Sequence, residues 1–409
     1  MHGACTRRGF LAGFAGVTAL ATHPTSATTA AAPKKVAAVA TVFRPNSHAD
    51  VIVSKILRGW REDGGAGPAL ELAGLYVEQF PADDMSRRLA AEFGVPLCGT
   101  IREALTLGGD RLAVDGVISI GEHGDYPWNE FEQHLYPRRR FFAAITDTFV
   151  ACDRVVPVFN DKHPGPEWDD AAWMADRARE LGVPWMAGSS LTVGFRTPDA
   201  TLAPGTPVRA CVGVGYSGLD IYGFHTLDFL QSLLERRRGG ESGVAFVEAR
   251  PTRDLAGWID TGLVPPGLLD AALDAAGTSR AAVLAAPPAD GSLFLVGYRD
   301  GLVAPVLMLG GLARGIVAAI EPERGPAIVT RAEERTEPRY PHFAYLLKAI
   351  ERLVHDGHAP YPVERSLLAA GILDRALRAR HDGHGRRETP ELAIAYEPAD
   401  YPHAPHVEL

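Results

Sequence analysis

The sequence has little cysteine and no excess of basic residues. Its 409 residues include 4 cysteines, and the formal net charge at pH 7 is −9. Cys98, Cys152 and Cys211 lie far apart, and with Cys5 they form no C-x-x-C pair, so the sequence predicts neither a disulfide framework nor a cysteine metal site. We interpret them as small buried apolar side chains. The negative charge argues against nucleic acid or an anionic membrane as the partner.

A glycine-rich turn is also missing where an α/β chain usually has one. The first apolar strand lies in "VAAVATVFRPNSHAD", residues 36–50, and runs into a turn without glycine. Glycines there normally let backbone N–H groups approach a dinucleotide phosphate. The turn instead offers Arg44, Asn46 and Ser47 as cofactor-binding candidates. Either these side chains hold the phosphate, with Arg44 as a bidentate clamp, or the dinucleotide site has degenerated.

The first residues have the order of an export signal. Arg7 and Arg8 precede a short apolar run, and alanines near 19–21 and 30–32 offer cleavage sites. This order resembles a twin-arginine signal, and the run is short for a bilayer span. We expect residues 1–32 to be a signal peptide read by the twin-arginine machinery. The mature chain would then be periplasmic or extracellular, without stable membrane insertion; an unprocessed tail or an anchor is the alternative.

From Lys34 onward, apolar strands alternate with amphipathic helices. This rhythm predicts βαβ units and a parallel sheet, whose carboxyl-end loops share one ligand-binding edge. Further on, strand-like runs separated by turns predict an antiparallel-rich region. The predicted fold class is α/β: a Rossmann-like parallel sheet domain followed by an α+β domain with a large, mostly antiparallel open sheet. The predicted boundaries are 34–189 and 190–330 for these domains, 331–385 for C-terminal helices packing back, and 386–409 for an extended tail.

Three stretches in this order resemble the Gfo/Idh/MocA oxidoreductases. "DMSRRLAAEFGVPLCGTIREAL" followed by "VDGVISIG" is similar to their second βαβ region. "VFNDKHPGPEWDDAAWMADRARELGVPWMAGSSL" resembles their strand, Glu-Lys-Pro motif, helix and strand, and "GLDIYGFHTLDFL" resembles their Asp-x-Gly-x-His-x-x-Asp motif. The resemblance spans residues 34–380. It implies NAD or NADP, hydride transfer on a sugar, a polyol or a derivative, and a homo-oligomer.

The resemblance also implies the catalytic residues. The lysine of the first motif falls on Lys162 and the histidine of the second on His225, so these two would handle the proton of a carbinol. Where the family has its first aspartate, this chain has Ile221, and Asp220 one residue earlier is the candidate. Asp228 falls on the last aspartate of the motif.

The chain departs from the family at several of these positions. The family's glycine positions fall on Ala40, Val42 and Pro45, and side chains or a missing N–H there hinder phosphate binding. Glu78, after the second strand, is the candidate partner of a ribose hydroxyl. In the lysine motif, Asp161 replaces glutamate; His163 replaces proline.

The polar loop "GEHGDYPWNE" at 121–130 follows the third predicted strand, at the same edge of the sheet as "DKH" at 161–163. Carboxylate and imidazole together suit Zn²⁺, Mn²⁺ or Fe²⁺, but no fixed ligand spacing is present. We therefore predict no metal and a hydrogen-bonded sugar pocket. Glu122 is assigned to the cofactor, and the substrate-binding candidates are His123, Asp125, Tyr126, Asp161, His163 and Asp228. The arginines at 138–140 and 236–238 are predicted to be solvated and not anion sites. The histidines at 381, 384, 403 and 406 are predicted to lie in exposed loops and not to be ligands.

Three functions remain open from the sequence. The first is a nicotinamide-dependent oxidoreductase, favoured by the resemblance. The second is a non-redox carbohydrate lyase or hydrolase, with or without a metal, using Glu122, His123, Lys162, His163 and His225. The third is a non-catalytic sugar-binding protein. Lys162 and His225 favour either enzyme, whereas the missing glycines favour the second and third functions.

Overall fold

Six strands form a parallel sheet in the first half of the chain. The computed structural model describes residues 32–407 and 409. Its first strands are β1 Lys34–Ala40, β2 Leu70–Val77, β3 Leu97–Cys98, β4 Gly116–Ile120, β5 Val158–Asp161 and β6 Trp185–Gly188. Between them lie α1 His48–Arg58, α2 Ser86–Phe93, α3 Ile101–Thr106, α4 Arg138–Ala151 and α5 Trp168–Leu181. The strand order β3-β2-β1-β4-β5-β6 confirms the predicted Rossmann-like sheet.

The centre of this sheet explains where a ligand can bind. Residues Val36–Ala40 of β1 are fully buried, as expected for a parallel strand covered by helices on both faces. The strand order reverses between β1 and β4. The loops that follow these two strands therefore diverge and leave a crevice at their carboxyl ends.

The second sheet has eight strands. They are β7 Phe195–Thr197, β8 Val208–Gly215, β9 Val244–Arg250, β10 Ser292–Tyr298, β11 Val303–Met308, β12 Ile316–Pro322, β13 Ile328–Glu333 and β14 Gly385–Glu388. Their order is β14-β9-β10-β11-β8-β12-β13-β7. Only the β8–β11 pair is parallel, so the mostly antiparallel sheet predicted from the sequence is confirmed.

Helices cover both faces of the second sheet. One core contains Phe294 and Val296 together with apolar residues of the helices α6 Ile221–Leu234 and α11 Glu364–His381. Leu293 and Leu295 point the other way, into a core shared with α7 Leu255–Asp260, α8 Pro266–Ala275 and α9 Arg280–Ala285. The face of the second sheet opposite α6 and α11 is therefore covered by α7–α9.

The C-terminal part of the chain crosses both sheets. Helix α10, Pro341–Asp356, contacts α1, whereas α11 contacts α5 and β6 on one side and α6 and β9 on the other. The tail is not simply extended, because β14 pairs with β9 and the N–H of Ala404 donates to the carbonyl of Val193 at 3.0 Å. Residues 33–409 form one compact unit.

Two sequence predictions concern the chain's ends and its cysteines. The export signal, with Arg7 and Arg8, lies outside the described residues. Within the described residues, no helix combines the length and the apolar character needed to cross a bilayer. Cys98 and Cys211 are buried as predicted, whereas Cys152 is half-buried.

Candidate functional site

A cavity of about 330 Å³ lies at the crevice where the parallel sheet meets the second half of the chain. Larger cavities of about 420 and 480 Å³ exist elsewhere, but this one contains both Lys162 and His225. The loops after β1, β4 and β5 contribute Asn46, His48, Glu122, His123 and Lys162. The remaining polar lining is Ser190, Tyr222, His225, Glu334, Thr336, Tyr340 and His342. This is the position that ligands take in doubly wound sheets.

Four residues that line the cavity have an uncommon backbone conformation: Asn46, His123, Lys162 and Tyr340. Lys162 has φ 61° and His123 has φ 66°, both in the left-handed region that non-glycine residues rarely adopt. Lys162 is held there by backbone hydrogen bonds with Gly188 in both directions, at 3.2 and 3.0 Å. Strained residues of this kind cluster at functional sites, where surrounding structure maintains them.

A buried ion network holds the lysine. Nζ of Lys162 lies 2.6 Å from Oε1 of Glu122, and a guanidinium nitrogen of Arg138 lies 2.6 Å from Oε2. Burial alone would raise the pKa of Glu122, but the charges of Lys162 and Arg138 outweigh it and hold the pKa well below 4.5. Glu122 is therefore a carboxylate that pairs with two cations, which keeps the Lys162 ammonium in place at the cavity wall.

Arg138 corrects one sequence prediction. The basic run at 138–140 was predicted to be solvated, yet Arg138 is 1% exposed because it pairs with Glu122. Its other terminal nitrogen donates to Nε2 of His163 at 3.0 Å, while Nδ1 of His163 donates to the carbonyl of Gly165 at 2.6 Å. Burial and the Arg138 charge hold the pKa of His163 well below 6.5, so this histidine is neutral and structural. Arg237, from the second basic run, is also buried.

Two further histidines face the cavity from the parallel sheet. Nδ1 of His48 lies 2.6 Å from Oδ2 of the buried Asp161, which fixes the ring, and its Nε2 has no hydrogen-bond partner among the described residues. His123 stacks edge-on against His48, with ring centroids 5.3 Å apart. Its Nε2 is buried without a hydrogen-bond partner in the part of the chain that the structure describes, and burial lowers its pKa to about 4. Both rings therefore offer unsatisfied nitrogens to a ligand.

His225 enters the cavity from α6. Its Nδ1 lies 2.6 Å from Oγ of Ser189, and burial together with the charge of Lys162 holds its pKa well below 6.5. Asp228, fully buried one turn further along, accepts the N–H of Ser189 at 2.9 Å and the hydroxyl of Ser366 at 3.1 Å. Asp228 therefore fixes the loop that orients His225, and it does not line the cavity.

Other predicted residues lie away from the cavity. Asp220 is buried and its Oδ2 accepts the N–H of His134 at 3.0 Å; burial raises its pKa to about 6. Asp125 is exposed, and its backbone bonds the side chain of Gln79. The cavity lining thus brings together Asn46, Glu122, His123, Lys162 and His225, but not Arg44, Ser47, Glu78, Asp125, Tyr126, Asp161, His163, Asp220 or Asp228.

In the turn after β1, the N–H groups of Arg44, Asn46 and Ser47 are hydrogen-bonded within the protein. Ser47 caps α1, and its Oγ accepts the N–H groups of Arg44 at 3.2 Å and Asp50 at 3.3 Å. The N–H of Asn46 donates to Oδ2 of Asp50 at 2.8 Å, the N–H of Ser47 donates to the carbonyl of Arg44, and Pro45 has none. From Arg44 to Ser47, the backbone keeps no N–H free for a pyrophosphate.

Side chains from elsewhere also occupy the dinucleotide region. Arg339 donates to Oδ2 of Asp50 at 2.9 Å, beside the start of α1. Glu78, predicted to bind a ribose, accepts the hydroxyl of Tyr126 at 2.7 Å and is paired with Arg140 at 2.6 Å. The residues present therefore do not fit a dinucleotide bound in the usual way, although Arg44 is exposed.

Sequence reasoning missed several residues of the site. His48 and His342 line the cavity, and Arg138 anchors its ion network. His48 directly follows the helix cap Ser47, a position that signals only a helix start. His342 comes from a segment almost 300 residues away in the chain, so only the tertiary fold places it near His48.

The chain shares its fold with solved dehydrogenases. GenD2 from gentamicin A biosynthesis, in complex with NAD, is 16% identical, with a TM-score of 0.56 over 88% of this chain and 97% of that chain. A probable dehydrogenase from Thermotoga maritima is 12% identical (TM-score 0.55; 88% and 99% covered). Apo scyllo-inositol dehydrogenase from Lactobacillus casei is 10% identical (TM-score 0.55; 87% and 98% covered). Neither a family model nor a curated protein matches the sequence. At these identities the similarity shows the fold alone, which is the two-domain fold of Gfo/Idh/MocA-type dehydrogenases.

Proposed function

We propose that this chain is an enzyme that transfers a proton on a hydroxylated, carbohydrate-like small molecule bound in the 330 Å³ cavity. The proposal rests on one observation: a side chain suited to act as a base and one suited to act as an acid line the same cavity. His225 is a neutral imidazole, and Lys162 is ion-paired with Glu122. Groups whose environments separate their protonation states in this way act as base and acid partners.

The roles follow from the hydrogen bonds. When Nδ1–H of His225 donates to Ser189, the Nε2 lone pair is free to take a proton from a substrate carbon beside a carbonyl. The electron pair of the broken C–H bond moves onto the carbonyl oxygen and forms an enolate. The Lys162 ammonium, held by Glu122, stabilises that negative oxygen. The carbonyl then re-forms, a C=C bond forms, and a leaving group departs from the next carbon with the electron pair of its bond, which completes a lyase reaction. Return of the proton from His225 to the carbon instead completes an exchange of hydrogen with solvent.

A nicotinamide-dependent oxidoreductase acting on a sugar or polyol is the second candidate. The dehydrogenase fold and the shared cavity of Lys162 and His225 favour it. The occupied N–H groups of the β1–α1 turn and the pairing of Glu78 with Tyr126 oppose it. The two candidates therefore differ in one measurable property, namely whether NADH binds.

Proton exchange in D₂O tests the proposal without knowledge of the product. The protein is incubated with a panel of aldoses, ketoses and uronic acids, and loss of C–H signals is followed by proton NMR. We expect exchange with at least one sugar, lost in Lys162→Met and in His225→Gln. Lys55→Met is the matched control, because Lys55 is buried and paired with Glu62 at 3.1 Å but does not line the cavity.

The outcomes separate the candidates. Folding of each variant is checked by circular dichroism. Exchange that survives in both folded cavity variants would overturn the proton-transfer role. Saturable quenching or enhancement of NADH fluorescence, with a change in absorbance at 340 nm on addition of a polyol, would establish the oxidoreductase instead.

Export by the twin-arginine pathway is a separate proposal. It is supported by Arg7 and Arg8 ahead of the apolar run. Replacing both arginines with lysine is expected to retain the protein in the cytoplasm on fractionation of cells. Unchanged export of that double variant would contradict this localisation.

A further inference from the structure

A second cluster of ligand-type side chains lies where the C-terminal tail folds back. Nε2 of His403 lies 2.7 Å from Oδ1 of Asp199, and Nε2 of His406 lies 3.2 Å from Oδ2. The three residues offer ligand atoms that lie within 4.8 Å of one another. The sequence predicted both histidines to be exposed, yet His403 is only 8% exposed.

We propose that Asp199, His403 and His406 bind one divalent transition-metal ion. Two imidazoles and one carboxylate form a donor set that suits Zn²⁺, Fe²⁺, Mn²⁺ or Co²⁺. In a tetrahedral site with bonds of about 2.0–2.1 Å, neighbouring ligand atoms are separated by about 3.3 Å. The two nitrogen–oxygen separations of 2.7 and 3.2 Å are near this value, and the three ligand atoms lie within 4.8 Å of one another, so the side chains must rotate to admit the ion.

The backbone positions these histidines independently of Asp199. Ala404, next to His403, is 1% exposed, and its N–H donates to the carbonyl of Val193. The N–H of His406 donates to the carbonyl of His403 at 2.9 Å. The tail therefore presents two imidazoles in a fixed turn, and less conformational entropy is lost when a metal binds.

The cluster has room for the remaining ligands. It lies at the wall of a separate cavity of about 420 Å³. Arg196, 8% exposed, also lines this cavity, and its Nε has no hydrogen-bond partner in the described residues. Arg236 and Arg365, by contrast, are paired with Asp400 and Glu235. A terminal nitrogen of Arg196 donates to the carbonyl of Thr192 at 2.9 Å, and no carboxylate of the described residues pairs with this guanidinium. Its positive charge favours water or an anion as the additional metal ligand.

Binding of Zn²⁺ and Co²⁺ to the full-length, chelator-treated protein tests the inference. Isothermal titration with ZnCl₂ is expected to show one site, and CoCl₂ is expected to give the visible absorption of a histidine–carboxylate site. His406→Gln and Asp199→Asn should each weaken Zn²⁺ binding at least about 100-fold. Both side chains are partly exposed, so these variants are expected to fold.

Two matched variants decide where the metal binds. His358→Gln removes an exposed histidine elsewhere and should leave Zn²⁺ binding unchanged. His123→Gln alters the main cavity and should also leave it unchanged. Loss of binding in His123→Gln, with full binding in His406→Gln, would place the metal in the main cavity and overturn the inference. Binding that no single variant weakens, or no binding at all, would overturn it as well.

Discussion

Lys162 and Glu122 form an ion pair of 2.6 Å in which both side chains are nearly buried, at 4% and 1% exposure. Two neighbouring strands of the parallel sheet carry these residues at their carboxyl ends. The pair links the stability of the sheet edge to the chemistry of the cavity, because Arg138 shares the same carboxylate.

Glu122→Gln is expected to destabilise the protein. It leaves the buried cations Lys162 and Arg138 without their carboxylate, and breaking such a pair costs about 3–5 kcal/mol in the free energy of unfolding. Urea denaturation measures the loss. Glu92→Gln is the control, since Glu92 pairs with Arg88 at 43% exposure and should change stability by less than about 1 kcal/mol. Similar losses in both variants would contradict the network's role.

Asp228 is expected to make the free energy of unfolding decrease as the pH rises. Burial raises its pKa from 3.8 to about 6. The unfolded chain releases this proton near pH 4, whereas the folded chain keeps it to about pH 6. The stabilisation is therefore complete below about pH 4 and is lost as pH rises through 6, by roughly 3 kcal/mol.

The variant Asp228→Asn isolates that effect, because it does not titrate. Between pH 4 and 7 the wild type should lose stability relative to Asp228→Asn, as measured by urea unfolding at each pH. Asp147→Asn removes a carboxylate that is 72% exposed and should show no such trend. If the difference in the free energy of unfolding between the wild type and Asp228→Asn stays constant with pH, the raised pKa of Asp228 is contradicted.

Ser189→Ala is expected to slow proton exchange by roughly tenfold, because it removes the hydroxyl at 2.6 Å that fixes the ring of His225. The apparent KM for the sugar should change little, since Ser189 does not line the cavity. Ser189→Thr keeps a hydroxyl and should recover most of the rate. Equal exchange rates in the alanine and threonine variants would show that the Ser189 hydroxyl does not orient His225.

Gly74→Ala tests a close approach in the parallel sheet. A Cβ at Gly74 would lie 2.4 Å from the carbonyl oxygen of Ala104 in α3, a contact that backbone must move to relieve. We expect a loss of about 1–3 kcal/mol in the free energy of unfolding. Gly267→Ala, in α8 with nothing within 4 Å, should instead stabilise by about 0.5–1 kcal/mol. Thermal unfolding of both variants checks that Gly74→Ala lowers the midpoint temperature and Gly267→Ala raises it.

The sequence predicted the sheets well because their signals are local. The apolar run of β1 and the helical spacing of α1 each extend over seven residues or more, and Lys162 directly follows the buried strand β5. By contrast, β3 has only two residues, which are too few to show an alternation of apolar and polar residues in the sequence. Short strands of this kind are defined by their neighbours in the sheet.

The burial of charged residues was harder to predict because it depends on distant partners. Arg138 and Arg139 are neighbours in one basic run, yet Arg138 is buried and Arg139 is exposed. The difference is Glu122, which the fold of the loop between them places 2.6 Å from Arg138. His403 likewise became buried through Val193 and Asp199, which lie about 200 residues away.

The folding-back of the tail has a consequence for biosynthesis. Strand β14 completes the edge of the second sheet beside β9, and Ala404 fills a core formed largely by the first half of the chain. While a ribosome is still translating the residues up to His406, these core positions are empty. Final closure of the fold must therefore follow translation of the tail, and a nascent chain halted before β14 would expose an unpaired strand edge to chaperones.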